Sequence, residues 1–259
     1  MRTHRHDPPP ATHADAIVLR QVTKAFRGSR GREVTAIEDV SLTIPAGQFV
    51  AIVGESGSGK STLMHCAAGL TSPTIGSVAL VGTDLGTLTS AHRSRFRSQH
   101  VGFVFQDYNL VSSLTVAHNV ELPGRITPRS RPTIATEEVL RSVGLAQRAD
   151  HLPHELSGGE QQRVAIARVL AAQPAVVFAD EPTSALDLGN SELILDHLRQ
   201  LSSRGTTVVM VTHDIDAATR ADRAVVMAHA RTVDDIARPR RDLLMSRVLS
   251  AQRIQRQVP

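Results

Sequence analysis

One glycine-rich segment, directly after an apolar run, restricts the fold of this chain more than any other feature. The run Phe49–Val53 is followed by Gly54, Glu55, Ser56, Gly57, Ser58, Gly59, Lys60, Ser61 and Thr62. The spacing G-x-x-x-x-G-K-[ST] between a strand and a helix is that of a phosphate-binding loop. Its glycines let backbone N–H groups turn toward a phosphate, and the next helix adds the positive end of its dipole. The sequence therefore predicts a triphosphate site, with Lys60 at the β- and γ-phosphates and the Ser61 hydroxyl on Mg²⁺.

A second apolar run ends in two acidic residues. Residues 176–179 are Val-Val-Phe-Ala, and Asp180 and Glu181 follow them. Because open α/β sheets bind ligands at the carboxyl ends of their strands, we expect Asp180 to hold Mg²⁺ through its water shell. Glu181 would then lie beyond the metal, where an attacking water would sit. Two acids at this position are also compatible with a helix cap, but the upstream loop favours the catalytic interpretation.

Two adjacent glycines mark a third segment, which lies between the first two. Leu156, Ser157, Gly158, Gly159 and Glu160 open a helical run. Paired glycines at the start of a helix cost stability unless the backbone must approach another group closely. The arrangement therefore indicates a second helix N-terminus that binds an anion, although a simple helix cap would explain these residues taken alone.

These three segments together resemble the nucleotide-binding domain of ATP-binding cassette (ABC) transporters, over roughly residues 16–235. The resemblance implies roles for four further residues. Gln106 matches the glutamine of the Q-loop, Asp187 the aspartate of the D-loop and His213 the switch histidine. Phe26 stands where the family places an aromatic ring that stacks on adenine.

The resemblance also implies an α/β fold. It consists of a P-loop NTPase (RecA-like) core with an N-terminal antiparallel β subdomain and an inserted α-helical subdomain, expected at about residues 107–165. The stretches 104–110, 114–120 and 180–187 further resemble the group of lipoprotein-releasing, macrolide-export and peptide-resistance ATPases. Members of that group pair with membrane permeases that bear large extracytoplasmic domains.

The family's mechanism implies ATP hydrolysis, with ATP and Mg²⁺ as cofactors. Two copies would form a homodimer that closes head to tail on two ATP molecules. Each copy would contribute the loop 54–62 to one ATP molecule, and to the other it would contribute Ser157, Gly158, Gly159 and Glu160. The implied catalytic residues are Glu181 as general base, His213, Gln106 and Lys60. The implied metal ligands are Ser61, Gln106 and Asp180, while Phe26 and Asp187 complete the nucleotide site.

A partner and a location follow from the same resemblance. The partner is an integral-membrane permease on a separate chain, so the domain is expected at the cytoplasmic face of the plasma membrane. No stretch approaches the roughly 20 apolar residues of a membrane span. Nucleic acid is not an expected partner. The 29 lysines and arginines are scattered and only 3% of residues are aromatic, whereas nucleic-acid grooves cluster basic and stacking side chains.

Three alternatives remain open at this point. A related ATPase of the cell-division type signals through a membrane partner to wall enzymes and transports no substrate. ABC ATPases that act on DNA or ribosomes usually carry two cassettes, long coiled coils or zinc-binding inserts, and this sequence shows none of these. A domain that binds nucleotide without hydrolysing it is disfavoured, because each matched catalytic position holds the expected residue type.

The alternation of apolar runs and polar segments gives a coarse secondary structure. Strands are expected at 16–23, 34–44, 77–81, 101–105, 175–179, 206–211 and 224–227, and helices at 60–69, 157–172 and 190–204. Residues 107–148 are expected to be helical, apart from an irregular, proline-containing stretch at 123–132. Residues 88–99 form a polar segment. Residues 227–231 lack the glycine-containing hairpin turn of the family, which leaves the last strands undefined.

Both ends of the chain differ from the rest in composition. Residues 1–15 are expected to be a disordered tail, with a metal-binding histidine tract as the alternative, and they lack the apolar segment of a secretory signal. Residues 236–259 are rich in arginine and have apolar residues near helical spacing. We expect a solvated helix packed loosely on the domain, and a helix on an anionic membrane surface is the alternative. The single cysteine, Cys66, excludes an internal disulfide and is expected in the core.

Overall fold

A computed structural model of the chain describes residues 15–28, 32–126, 134–184 and 186–255. Its strands are β1 (Asp15–Arg27), β2 (Glu33–Pro45), β3 (Phe49–Val53), β4 (Ile75–Leu80), β5 (Thr83–Asp84), β6 (Val101–Val104), β7 (Val176–Asp180), β8 (Thr207–Thr212), β9 (Arg223–Ala228) and β10 (Arg231–Ala237). Its α-helices are α1 (Lys60–Ala67), α2 (Ser90–His100), α3 (Val116–Ile126), α4 (Thr136–Ser142), α5 (Gly158–Ala172), α6 (Leu188–Ser203), α7 (Ile215–Ala218) and α8 (Arg241–Gln255).

A six-stranded sheet carries most of the segments singled out above. Its strand order is β10-β9-β3-β8-β7-β6, and its neighbouring strands are parallel except in the β9–β10 hairpin. β3 and β8 are buried along their whole length. Parallel strands that are covered on both faces consist of continuous apolar runs, which is why the sequence reveals them. The expected α/β core is confirmed.

The second sheet is antiparallel, with the strand order β2-β1-β4-β5. Side chains alternate along β3, so Val50 and Ile52 face the core between the two sheets, where Leu63 of α1 also lies. The opposite face of β3 belongs to a second core, to which α3, α4, α5 and α6 contribute. Cys66 is buried in the first core as expected, and this burial raises the pKa of its thiol to about 11.

Residues 107–115 are not helical, which corrects the expectation from the sequence. The buried side chain of Asn119 gives the physical reason. Its Oδ1 accepts a hydrogen bond from the Val111 N–H at 2.8 Å, and its Nδ2 donates to the carbonyl oxygens of Val111 and Leu114. Backbone groups of this loop are therefore satisfied by a side chain, and they do not need helical bonds.

One further expectation needs correction, and one helix lies where the sequence indicates only a polar segment. Pro123 lies inside α3, although the sequence predicts irregular structure from that residue onward; residues 127–133 lie outside the described part of the chain. The polar segment 88–99 contains most of α2, a helix that buries none of its residues. Without a buried face, α2 has no apolar periodicity to reveal it. Its start is fixed instead by Thr89, whose hydroxyl accepts from the His92 N–H at 3.3 Å.

The last two strands form a hairpin without glycine. His229 and Ala230 lie at its turn and have φ values of +50° and +63°. Turns with positive φ at both central residues usually contain glycine or asparagine. Here the Glu38 N–H of β2 donates to the Ala230 carbonyl oxygen at 2.7 Å, so contact with the neighbouring sheet supports the turn.

Most of the described part of the arginine-rich C-terminal segment forms α8, which packs on the domain. Leu244 and Ala251 are buried, and Arg241 forms an ion pair with Asp216 of α7 at 2.7 Å. These contacts favour the packed helix over the membrane-surface alternative. Among the described residues, no helix has both the length and the apolar character required to cross a bilayer.

Three of the expected domain boundaries can be placed on the structure. Residue 165, expected to end the helical subdomain, lies within α5, and residue 235, expected to end the ATPase domain, lies within β10. Asp15, expected to end the N-terminal tail, begins β1. Residues 1–14, with the candidate histidine tract, lie outside the described residues.

Candidate nucleotide site

The phosphate-binding loop joins β3 to α1 and contains glycines that no other residue could replace. Gly54 has a φ of +155° and Gly59 a φ of +100°. A Cβ atom on Gly54 would lie 2.2 Å from the carbonyl oxygen of Met227, and one on Gly59 would lie 2.3 Å from that of Ala36. Both positions therefore need glycine for its conformation and for its small size. The loop is packed between β9 on one side and β2 on the other.

Lys60 begins α1, and its ammonium group lies against the loop. The residue is only 7% exposed. Its Nζ donates to the carbonyl oxygens of Gly54 at 2.8 Å and Glu55 at 2.7 Å. Burial lowers the pKa of Lys60, and the negative charges of Glu181, Asp180 and Glu55 oppose that shift. The side chain is thus a buried cation with neutral acceptors that a phosphate oxygen can replace.

Ser61 and Asp180 bring two oxygen ligands together, one from α1 and one from the end of β7. The Ser61 Oγ donates to Asp180 Oδ1 at 3.2 Å. Burial raises the pKa of Asp180, and the hydrogen bond from Ser61 opposes this shift. Hard oxygen donors of this kind fit Mg²⁺, which takes one or two protein ligands together with phosphate oxygens and waters. Within the described residues, no group of three or more His, Cys, Asp or Glu side chains offers a separate metal site.

Glu181 and His213 form a pair beyond the ends of β7 and β8. Glu181 Oε1 accepts a hydrogen bond from His213 Nδ1 at 2.9 Å, and Oε2 lies 3.4 Å from the His213 backbone nitrogen. The φ of Glu181 is +46°, which is uncommon for a residue other than glycine. Its N–H donates to the Val211 carbonyl oxygen at 2.9 Å, and this bond supports the conformation. Backbone strain of this kind concentrates at functional sites.

A cleft of about 300 Å³ lies between the loop and Glu181. It is lined by Ala36, Ser56, Gly57, Gly59, Lys60, Ser61, Thr62 and Glu181. The groups expected at the phosphates and the expected general base thus share one cleft. The paired-glycine segment 157–160, although the structure describes it, does not belong to this lining.

Gln106 and Phe26 are both exposed. Gln106 follows the end of β6 by two residues, and β6 pairs with β7, which carries the acidic pair. Phe26 is 45% exposed near the end of β1, and Lys24 Nζ lies 5.0 Å from its ring centroid. β1 pairs Phe26 with Val34, which precedes Ala36 of the cleft by two residues. An exposed aromatic ring in this position is suited to stacking on a base.

The paired glycines begin α5, and Ser157 is its N-cap. The Ser157 Oγ accepts from the Glu160 N–H at 3.3 Å, and the Glu160 carboxylate accepts from the Ser157 N–H at 2.9 Å. This reciprocal arrangement is a capping box. It leaves the first N–H groups of α5 as donors for an anion.

Both glycines lie close to side chains from other elements. A Cβ on Gly158 would lie 2.9 Å from the Tyr108 hydroxyl oxygen, and a Cβ on Gly159 would lie 3.0 Å from side-chain atoms of Asn190. Asn190 in turn donates to both carboxylate oxygens of Asp187, from its N–H at 2.9 Å and from its Nδ2 at 2.6 Å. The structure therefore connects the expected D-loop residue with the start of α5.

Sequence reasoning missed several residues that hold the site together. Gln162 is 1% exposed, and its Nε2 donates to the Pro182 carbonyl oxygen at 2.8 Å, which joins α5 to the turn after Glu181. Arg148 Nε donates to Glu160 Oε1 at 3.0 Å. A polar residue on the apolar face of α5 is a signal that could have indicated Gln162. No sequence spacing indicates the Arg148 contact.

A P-loop on a parallel sheet, an acidic pair at a nearby strand end and a helix that begins with paired glycines together define an ATP-binding domain of the ABC type. A family model described as ABC transporter matches residues 37–184, which is more than half of the chain. The chain therefore belongs to the ABC transporter family, as the sequence motifs indicate.

The relatives agree with the group expected from the sequence. The uncharacterized ABC transporter ATP-binding protein YbbA of Escherichia coli (strain K12) is 42% identical over 86% of this chain and 99% of that protein. The macrolide export ATP-binding/permease protein MacB of Mannheimia succiniciproducens is 43% identical over 85% of this chain. The aligned region is only 34% of that relative, so the chain spans about a third of its length.

The fold matches that of a solved cassette. The ATP-binding cassette MJ0796, in the dimeric structure of a post-hydrolysis state bound to ADP and Pi, has a TM-score of 0.79 and 37% sequence identity. The match covers 86% of this chain and 99% of that one.

Proposed function

We propose that this chain is the ATP-hydrolysing subunit of an ABC transporter, in which two copies close head to tail on two ATP molecules and drive a permease. The observation that carries the proposal is the set of groups around one cleft. Lys60 lies over the loop, Ser61 is bonded to Asp180, and Glu181 is bonded to His213. Each of these groups has a role in phosphoryl transfer to water.

The residues of the cleft have separate roles in ATP hydrolysis. Glu181 acts as the general base that takes a proton from the attacking water, and such catalysis contributes about 10²–10⁴-fold. His213 holds the Glu181 carboxylate in place through Nδ1, and the ammonium of Lys60 holds the β- and γ-phosphates. Mg²⁺, when bound at Ser61 and Asp180, neutralises negative charge on the phosphates.

Half of each proposed site comes from a second copy of the chain. The segment 157–160 is outside the lining of the cleft, yet the N-terminus of α5 offers donors for an anion. The solved relative MJ0796 is dimeric with ADP and Pi. We infer that Ser157, Gly158 and Gly159 of one copy face the loop 54–62 of the other, so that both surfaces share one γ-phosphate.

The permease is proposed to be a separate chain in the plasma membrane, with this subunit at its cytoplasmic face. YbbA, which matches over nearly its whole length, is named as an ATP-binding protein, whereas the longer MacB is named as an ATP-binding/permease protein. The exposed Gln106 lies in the loop that borders a groove of about 240 Å³, whose lining includes Phe105, Asn109, Pro123, Arg168 and Val169. We assign this groove to contact with the permease.

The Glu181→Gln variant tests the assigned base. The amide cannot accept a proton from water but keeps the size of the side chain, so we expect ATP binding to persist and hydrolysis to fall by about 10²-fold or more. Phosphate release by the purified chain measures this. Glu192→Gln, at an exposed position of α6, is the matched control and should keep the original rate. Near-normal turnover in Glu181→Gln would show that the base is assigned wrongly.

A further inference from the structure

Glu160, at the tip of α5, is held from two directions. One carboxylate oxygen accepts the Ser157 N–H at 2.9 Å, and the other accepts Nε of Arg148 at 3.0 Å. Arg148 ends a single 3-10 turn, Ala146–Arg148, and its Nη1 lies 3.4 Å from His151 Nε2. The side chain of Glu160 is 19% exposed and that of Arg148 is 46% exposed. The arginine therefore covers the carboxylate from the solvent side.

A carboxylate at this position has two opposite effects. In the first turn of a helix it interacts favourably with the helix dipole. The backbone N–H of Ser157, then the Ser157 hydroxyl and then Arg148 hold the pKa of Glu160 below its ordinary value, against the opposing effect of burial. The carboxylate is thus ionised at neutral pH. However, the proposed dimer brings a triphosphate to the same helix tip, and like charges within a Debye length of about 8 Å repel each other.

We propose that Arg148 is a positioning residue for the ATP-dependent dimer: it neutralises Glu160 and fixes the capping box, so that the start of α5 presents donors to the partner copy's triphosphate. This inference rests on the proposed function. Arg148 acts through its bond to Glu160 and has no direct role at the nucleotide in this proposal. With Glu160 held on the Ser157 N–H, the N–H groups of Gly158 and Gly159 remain available for the phosphate.

A double-mutant cycle separates this role from a general loss of stability. In a Glu181→Gln background, the ATP concentration at half-maximal dimerisation is measured by light scattering for Arg148→Ala, Glu160→Gln and the double variant. We expect Arg148→Ala to raise that concentration about fivefold, because it leaves an unpaired carboxylate at the anion site. The double variant should recover most of this loss, since its neutral amide repels no phosphate and can still accept the Ser157 N–H.

Two controls make the charge effect visible. Arg141→Ala removes an arginine of α4 that pairs with exposed Glu137, and it should leave dimerisation unchanged. Arg148→Lys keeps the positive charge, so its ATP concentration at half-maximal dimerisation should be close to that of the parent. This variant also tests the charge effect if the alanine variant folds poorly. Raising NaCl to 1 M shortens the Debye length to about 3 Å. The fold-difference between Arg148→Ala and the parent in the ATP concentration at half-maximal dimerisation should therefore decrease.

The outcomes distinguish this inference from the function on which it rests. If the Glu181→Gln parent dimerises with ATP but Arg148→Ala matches it, Arg148 has no positioning role and the inference alone is overturned. The same holds if the double variant is as impaired as Arg148→Ala. If the parent itself fails to dimerise with ATP, both the inference and the proposed dimer are wrong.

Discussion

The loop that precedes Lys60 holds its ammonium group in a position where it can bind an anion. Its ammonium is nearly buried and is bonded to two backbone carbonyl oxygens. Each of these bonds has only one charged partner, whereas a phosphate oxygen adds the attraction between opposite charges, so it is a better partner than either carbonyl. Burial, which lowers the pKa of Lys60, makes the gain from such an anion larger.

Removal of this cation should abolish tight nucleotide binding. We expect Lys60→Ala to weaken binding of ATP by about 10²-fold, since buried charged hydrogen bonds contribute about 1.5–3 kcal/mol each. Titration with a fluorescent ATP analogue measures the effect, and circular dichroism confirms that the variant folds. Arg95→Ala, an exposed cation on α2, is the control and should bind as before. Retained tight binding in Lys60→Ala would contradict the phosphate role of the loop.

The raised pKa of the Cys66 thiol predicts that this residue reacts slowly in the folded protein. Burial raises the pKa of its thiol to about 11, so at pH 8 about one thiol in a thousand is ionised, and the thiolate is the reactive form. We expect the folded protein to resist iodoacetamide at pH 8, with labelling measured by mass spectrometry. The same protein in concentrated urea should react rapidly, because exposure returns the pKa to its ordinary value. Rapid labelling of the folded chain would show that Cys66 is not in the core.

At the scale of elements, α8 shares a cavity with the phosphate-binding loop. Val248 and Ala251 of α8 line a cavity of about 110 Å³, and loop residues 54–58 lie on its other side. The helix also contributes Leu244, which is fully buried. The sequence pattern favours a loosely packed helix, whereas these contacts make α8 part of the domain core.

Substitution of the buried leucine of α8 tests how much the packing of this helix contributes to the stability of the domain. Leu244→Ala should lower the free energy of unfolding by about 3 kcal/mol, because a leucine-to-alanine change in a core loses buried area and leaves a cavity. Leu249→Ala lies on the same helix but is 44% exposed, so it should change stability by less than about 0.5 kcal/mol. Urea unfolding measures both variants. Equal effects would mean that α8 does not pack as described.

The sequence revealed those elements whose burial leaves a pattern. β3, β7 and β8 are apolar runs buried on both faces, and α5 carries an N-cap box that is readable from Ser157 and Glu160. α2 leaves no such pattern because it has no buried face. The pattern of residues 107–115 predicts a helix, and the buried Asn119, whose hydrogen bonds stabilise the irregular backbone there, shows its role only in three dimensions.

At the scale of the whole molecule, the order of strands explains how much of the site the sequence could predict. The phosphate-binding loop, Asp180 with Glu181, and His213 all follow parallel strands, and these strands are neighbours in one sheet. A general rule about strand ends therefore predicts their proximity. The contacts of Arg148 and Gln162 join different helices and turns through side chains. Such contacts depend on how the elements pack, so no motif in the sequence indicates them.

The proposed ATP site has two halves, the loop 54–62 and the segment 157–160, and we propose that a second copy of the chain brings them together. Light scattering of the Glu181→Gln variant measures this directly. Without nucleotide we expect a mass of 27.9 kDa, that of one chain, and with ATP and Mg²⁺ twice that mass. Adding Lys60→Ala should restore the single-chain mass. An unchanged mass in Glu181→Gln, while bound ATP is detected on the protein, would contradict the head-to-tail dimer and the mechanism built on it.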